Sequence, residues 1–181
     1  MDTLESLSQI KPHSHKKPPR KLDPYVNLPK ALMCSFGFFG LYTAIYGAQN
    51  IQTAVFLKDG FGNLGFYANA VAYVGQGTGS LFCGYVHSKV SYVRSMAISS
   101  VLNIPNILFL ILPAMKYQDL ASTSPFFSNV FVYTITLITS LLNGLGQGVE
   151  QPSSGTYISD CATEKNKGFF FALFWSFYMG S

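Results

Sequence analysis

The chain has 181 residues, of which 49% are hydrophobic and only 11% charged, and its formal net charge is +4. Soluble domains average roughly 25% charged residues, so this composition excludes an ordinary water-soluble globule. The three cysteines, Cys34, Cys83 and Cys161, are odd in number and far apart, which excludes a disulfide framework or a cysteine metal cluster.

Residues 1–30 predict a polar, disordered, cytosolic tail. Its basic run spans His13, His15, Lys16, Lys17, Arg20 and Lys21. Acids and prolines precede any apolar core, so the segment does not read as a secretory signal. The run serves to fix topology, with anionic lipid headgroups as its alternative partner. No nucleic-acid partner is expected.

Beyond the tail, five stretches lack Lys, Arg, Asp and Glu altogether: 31–57, 60–88, 95–115, 120–149 and 168–181. A helix needs roughly 20 apolar residues to cross a bilayer, and the first four stretches meet that length. The sequence therefore predicts an all-α membrane protein with four full transmembrane helices and a truncated fifth. The expected bundle covers 31–181, with helices at about 31–56, 64–86, 95–115, 126–149 and 168–181. Gly60, Gly62 and Asn63 stop the first helix. Pro105 and Pro113 are expected to kink the third. A polar connector from Ser159 to Lys167 leads into the fifth.

Loop charges orient these helices. With the amino terminus cytosolic, that side holds ten of the twelve Lys/Arg, and the other holds only Lys58 and Lys116. This is a strong positive-inside bias.

Two helices carry glycines at close-packing spacing, Gly75 and Gly79 in the second and Gly144 and Gly148 in the fourth. GxxxG pairs let helix backbones approach closely in lipid. No strand precedes either glycine string and no Gly-Lys-Ser/Thr follows, so a phosphate-binding loop is excluded.

No constellation of catalytic residues, metal ligands or cofactor-binding residues is visible, so no enzyme is expected. The residues of interest are instead polar side chains within apolar stretches, which are costly unless they face a partner or water. On the first helix Tyr42, Tyr46, Gln49 and Thr53 share a face, flanked by Asn50 and Gln52. On the fourth, Thr136, Thr139 or Ser140, Asn143, Gln147 and Glu150 do the same. Both stripes read either as walls of a polar cavity or as interhelical glue. Glu150 reads as an interfacial carboxylate, with a proton or cation site as the alternative. Asn69, Gln76, Asn103 and Asn106 read as structural hydrogen-bonding amides.

Several runs look familiar together. They are GAQNIQTAVF at 47–56, GNLGFYANAVAY at 62–73, GLGQG at 144–148, SGTYIS at 154–159 and CATEKNKGFFFALFWS at 161–176. With them, residues 31–181 resemble the first four and a half helices of the uncoordinated-93-like family of the major facilitator superfamily. The loop from Gly84 to Arg94 departs from the superfamily pattern, with Ser88 in place of an Asp and Ser91 in place of a Gly. The resemblance implies a twelve-helix fold in the whole protein. It also implies a regulatory role through a membrane-protein partner, a channel or a receptor, rather than catalysis. A solute carrier and an inactive fragment are the alternative expectations.

Overall fold

The computed structural model describes residues 25–118 and 128–181, which form helices and turns with no strand among them. The expected tail up to residue 24 and the helix start at Phe126 lie outside the described residues. Six helices follow one another: α1 (Leu28–Lys58), α2 (Leu64–Lys89), α3 (Tyr92–Phe109), α4 (Ile111–Gln118), α5 (Asn129–Cys161) and α6 (Lys167–Met179).

Three segments are long and apolar enough to cross a membrane: Leu28–Lys58, Tyr92–Pro113 and Asn129–Cys161. The protein is thus an integral membrane protein, all-helical among the described residues. At 26 residues α2 has the length, but glycines and amides lower its hydropathy.

The helix ends differ from expectation for local reasons. α1 begins at Leu28 because Pro29 sits in its first turn, where a missing N–H costs nothing. α5 begins at Asn129 because the Ser128 side chain caps it, accepting the Phe131 N–H at 3.2 Å. The expected single third helix is broken at Leu110 into α3 and α4. Pro113 lacks the N–H that Phe109 would receive and crowds that carbonyl, whereas Pro105 is accommodated inside α3.

The largest departure is α5, expected to end near residue 149, which instead continues through Pro152 to Cys161. Its 33 residues make about 50 Å of helix. The expected polar connector shrinks to the turn at 162–166, where the Asn166 Oδ1 accepts from the Thr163 N–H and hydroxyl.

Side-chain pairs fix the directions. Gln52 meets Asn69, so α1 and α2 are antiparallel. Asn106 meets Ser140 and Ser100 meets Glu150, so α3 and α5 are antiparallel too. Gly75 lies beside Gly144 and Gly79 beside Gly148, so α2 and α5 run parallel. Phe38 packs on Phe174 and Tyr46 on Tyr178, so α1 and α6 run parallel. The starts of α1, α3 and α6 therefore share one end of the bundle with the finishes of α2 and α5. Lys30, Lys89, Arg94, Lys165 and Lys167 cluster at that end, and Lys58 marks the other.

α5 is the hub, packing most extensively on α2 and next on α3. An ideal Cβ on Gly75 would come 2.8 Å from the Leu141 carbonyl oxygen, and one on Gly79 would come 2.5 Å from that of Leu145. A Cβ on Gly144 or Gly148 would collide with the carbonyl oxygen of Ala72 or Gln76, respectively. Gly146, two positions round the helix, faces α3 instead, 2.9 Å from the Ser99 carbonyl oxygen by the same construction. The alternating glycines thus let α5 approach two neighbours on opposite faces.

Two apolar clusters close the ends. Ala31, Phe38, Tyr42, Ile158, Cys161, Phe170 and Phe174 bind α1, α5 and α6 at the basic end. Phe56, Phe61, Leu64 and Val132 join α1, α2 and α5 at the other. Between α1 and α2, Gly60 and Gly62 take positive φ of 82° and 55°, a tight reversal that turns the buried Phe61 inward.

Candidate functional site

The α5 stripe faces α3 and is joined to it by hydrogen bonds. The Gln147 amide donates to the Asn143 Oδ1 at 2.6 Å, and the Asn143 amide donates to the Asn103 Oδ1 at 3.2 Å. Asn103 in turn donates to the Glu150 Oε2 at 3.3 Å, and the Ser100 hydroxyl donates to its Oε1 at 2.7 Å. One turn away Asn106 donates to the Ser140 hydroxyl at 3.2 Å. Asn103, Asn106, Asn143, Gln147 and Glu150 are all buried. Asn143 is therefore spent across the helix interface, and the buried Gln147 amide is spent on Asn143 within α5. Glu150 sits eleven residues before the end of α5, about 16 Å of helix from that end.

The α1 stripe divides. Tyr46 and Tyr178 share a hydrogen bond of 2.6 Å between hydroxyls. The Gln151 amide donates to the Tyr178 hydroxyl at 2.8 Å, and the Gln76 amide donates to the Gln151 Oε1 at 3.2 Å. This chain ties α1, α6, α5 and α2 together. The Tyr42 ring packs between Phe38, Tyr46 and Tyr178, with its hydroxyl buried. Gln49 and Thr53 do not join the chain. Thr53 lies against Gly65 of α2, and the buried amide on this stretch is Gln52, which donates to the Asn69 Oδ1 at 2.7 Å.

Four participants, Ser80, Cys83, His87 and Ser153, were invisible to spacing arguments. Ser80 donates to the Gly148 carbonyl at 3.1 Å, and that carbonyl lacks its helical donor because residue 152 is proline. His87 lies 2.7 Å from the Ser153 hydroxyl and 3.5 Å from the Cys83 sulfur. The Ser153 hydroxyl also reaches the Val149 carbonyl at 2.6 Å. No cluster of three or more His, Cys, Asp or Glu suited to a metal occurs among the described residues.

Two hollows adjoin these networks. One of about 270 Å³ lies between α2, α5 and α6, lined by Gln151, Pro152, Phe171, Phe174, Trp175 and Tyr178 among others. The other, of about 340 Å³, is a groove between α1 and α3. Met33, Cys34, Gly37, Phe38 and Leu41 form one wall, Met96, Ala97 and Ser100 the other, and Glu150 borders it.

No family model, curated protein or solved structure matches this chain.

Proposed function

We propose that this chain is the amino-terminal part of a transporter-like bundle of the uncoordinated-93-like type, in which α2 spans the membrane as a fourth full helix and the amino terminus faces the cytosol. Its role in this reading is non-catalytic: it binds another membrane protein, a channel or a receptor, and governs its activity or trafficking. The observation that carries the reading is the pairing of stripe side chains across helices, Asn143 and Glu150 of α5 with Asn103 and Ser100 of α3, and Tyr46 of α1 with Tyr178 of α6. Side chains paired in this way hold helices in register, as a scaffold requires. The basic residues gathered at one end support the orientation.

The experiment is cross-linking in intact membranes followed by purification in mild detergent. The reading predicts an integral membrane partner in fixed stoichiometry, whose surface amount or current changes when this chain is depleted. Recovery of the chain alone, from vesicles that accumulate a solute because of it, overturns the reading.

The hollow beside Gln151 and Tyr178 favours one second reading, a solute carrier, since carrier sites form between helices at mid-membrane. Replacing Gln151 by Leu in transporting vesicles would then abolish uptake while the protein remains folded.

A further inference from the structure

Glu150 is 1% exposed in a membrane-spanning helix, and its hydrogen-bond partners are Ser100 and Asn103. Both partners are neutral. No Lys, Arg or His among the described residues lies beside the carboxylate. Two hydrogen bonds leave about half of a carboxylate's acceptor sites unused. A buried ionised carboxylate without a cation is expensive, so this position gains strongly from one.

The same carboxylate borders the groove between α1 and α3, two helices that touch only sparsely. The α1 wall is a seam at helical spacing, with Met33, Gly37 and Leu41 one turn apart and Cys34 and Phe38 beside them. A Cβ on Gly37 would meet nothing within 4 Å, and Ala97 faces it from α3. Small residues in an open, apolar, lengthwise groove suit the close approach of a helix, unlike the glycines of α2 and α5, which are already filled. The two methionines add a surface that adapts to a partner's shape.

We infer that the α1–α3 groove receives a further transmembrane helix carrying a lysine or arginine, whose cation pairs with Glu150. The ion pair supplies specificity, because a wholly apolar helix leaves the carboxylate unmatched. The inference rests on the partner-binding reading and names where and by what chemistry the partner docks.

The test uses the full chain, fluorescently labelled, in phosphatidylcholine vesicles. The probes are two synthetic leucine-alanine transmembrane helices, identical except for one lysine or one leucine at the depth of Glu150, and energy transfer reports docking. The lysine helix should bind about tenfold or more tightly than the leucine helix, about 1.4 kcal/mol. Glu150→Gln keeps the size of the side chain and should bring the two helices within about twofold of each other. Gly37→Leu fills the groove without touching the charge, and should weaken docking of the lysine helix while the protein keeps its melting temperature. Equal docking of both helices to the native protein overturns the inference. So does a lysine preference that survives Glu150→Gln, or Glu150-dependent binding of dodecylamine without docking of the lysine helix. Retention of a native partner by the Glu150→Gln protein overturns the groove assignment and leaves the partner reading standing.

Discussion

The Ser80 hydroxyl of α2 occupies the Gly148 carbonyl of α5, the one carbonyl that Pro152 deprives of its backbone donor. A proline inside a helix normally ends or bends it. Here a neighbour supplies the missing donor, and α5 continues nine residues further, to Cys161. Ser80→Ala should cost about 0.6–1.7 kcal/mol, from the mean to the largest value measured for interhelical hydrogen bonds in membranes. Pro152→Ala restores the N–H, so in that background Ser80→Ala should cost almost nothing. Equilibrium unfolding of the four proteins in mixed micelles gives the coupling directly. Equal costs in both backgrounds would show that the contact does not compensate the proline.

The glycines separate into filled and open positions. Gly144→Ala and Gly148→Ala drive a methyl into the backbone of α2, so each should destabilise by about 1–3 kcal/mol, the usual range for overpacking. Gly77 and Gly84 have nothing within 4 Å of an added Cβ. Gly77→Ala and Gly84→Ala should be neutral or stabilising by up to about 1 kcal/mol, from helix propensity alone. Melting temperatures of the four variants check the contrast.

Asn103 is the member of the α3–α5 network that touches both Asn143 and Glu150. Asn103→Leu leaves an amide and a carboxylate without that partner, and should cost about 1–3 kcal/mol or more. Ser100→Ala removes one bond to the carboxylate and should cost less. A larger loss in Ser100→Ala than in Asn103→Leu would contradict the network as described.

The proposed orientation makes a labelling prediction. In a background lacking Cys34, Cys83 and Cys161, a cysteine in place of Lys58 should react with an impermeant maleimide added to intact cells. Cysteines replacing Lys89 or Lys167 should react only after permeabilisation. The reverse pattern would invert the topology.

The sequence made the membrane class legible because an absence of charge over twenty or more residues has few other physical meanings. The glycine spacing was legible for a similar reason, since only close backbone approach rewards Gly75, Gly79, Gly144 and Gly148 in lipid. The end of α5 was not legible, because Pro152 signals a stop locally and the rescue by Ser80 lies 68 residues away in the chain. The stripe on α5 was readable as a face, but which helix it met required the partners Ser100, Asn103 and Asn106, which read singly as ordinary amides and a hydroxyl. On α1 the pattern pointed to Gln49 and Thr53, whereas helix rotation buries Gln52 instead.

The central claim is that the polar stripe of α5 joins helices and does not line a water-filled path. Its most direct test is the reactivity of cysteines at positions 143 and 147 with a small water-soluble methanethiosulfonate, in vesicles and in the cysteine-free background. The account predicts that Asn143→Cys and Gln147→Cys stay unmodified while a cysteine replacing Lys58 reacts fully. Modification of either buried position at a rate comparable to that of the Lys58 replacement would contradict it and place the stripe on an aqueous cavity.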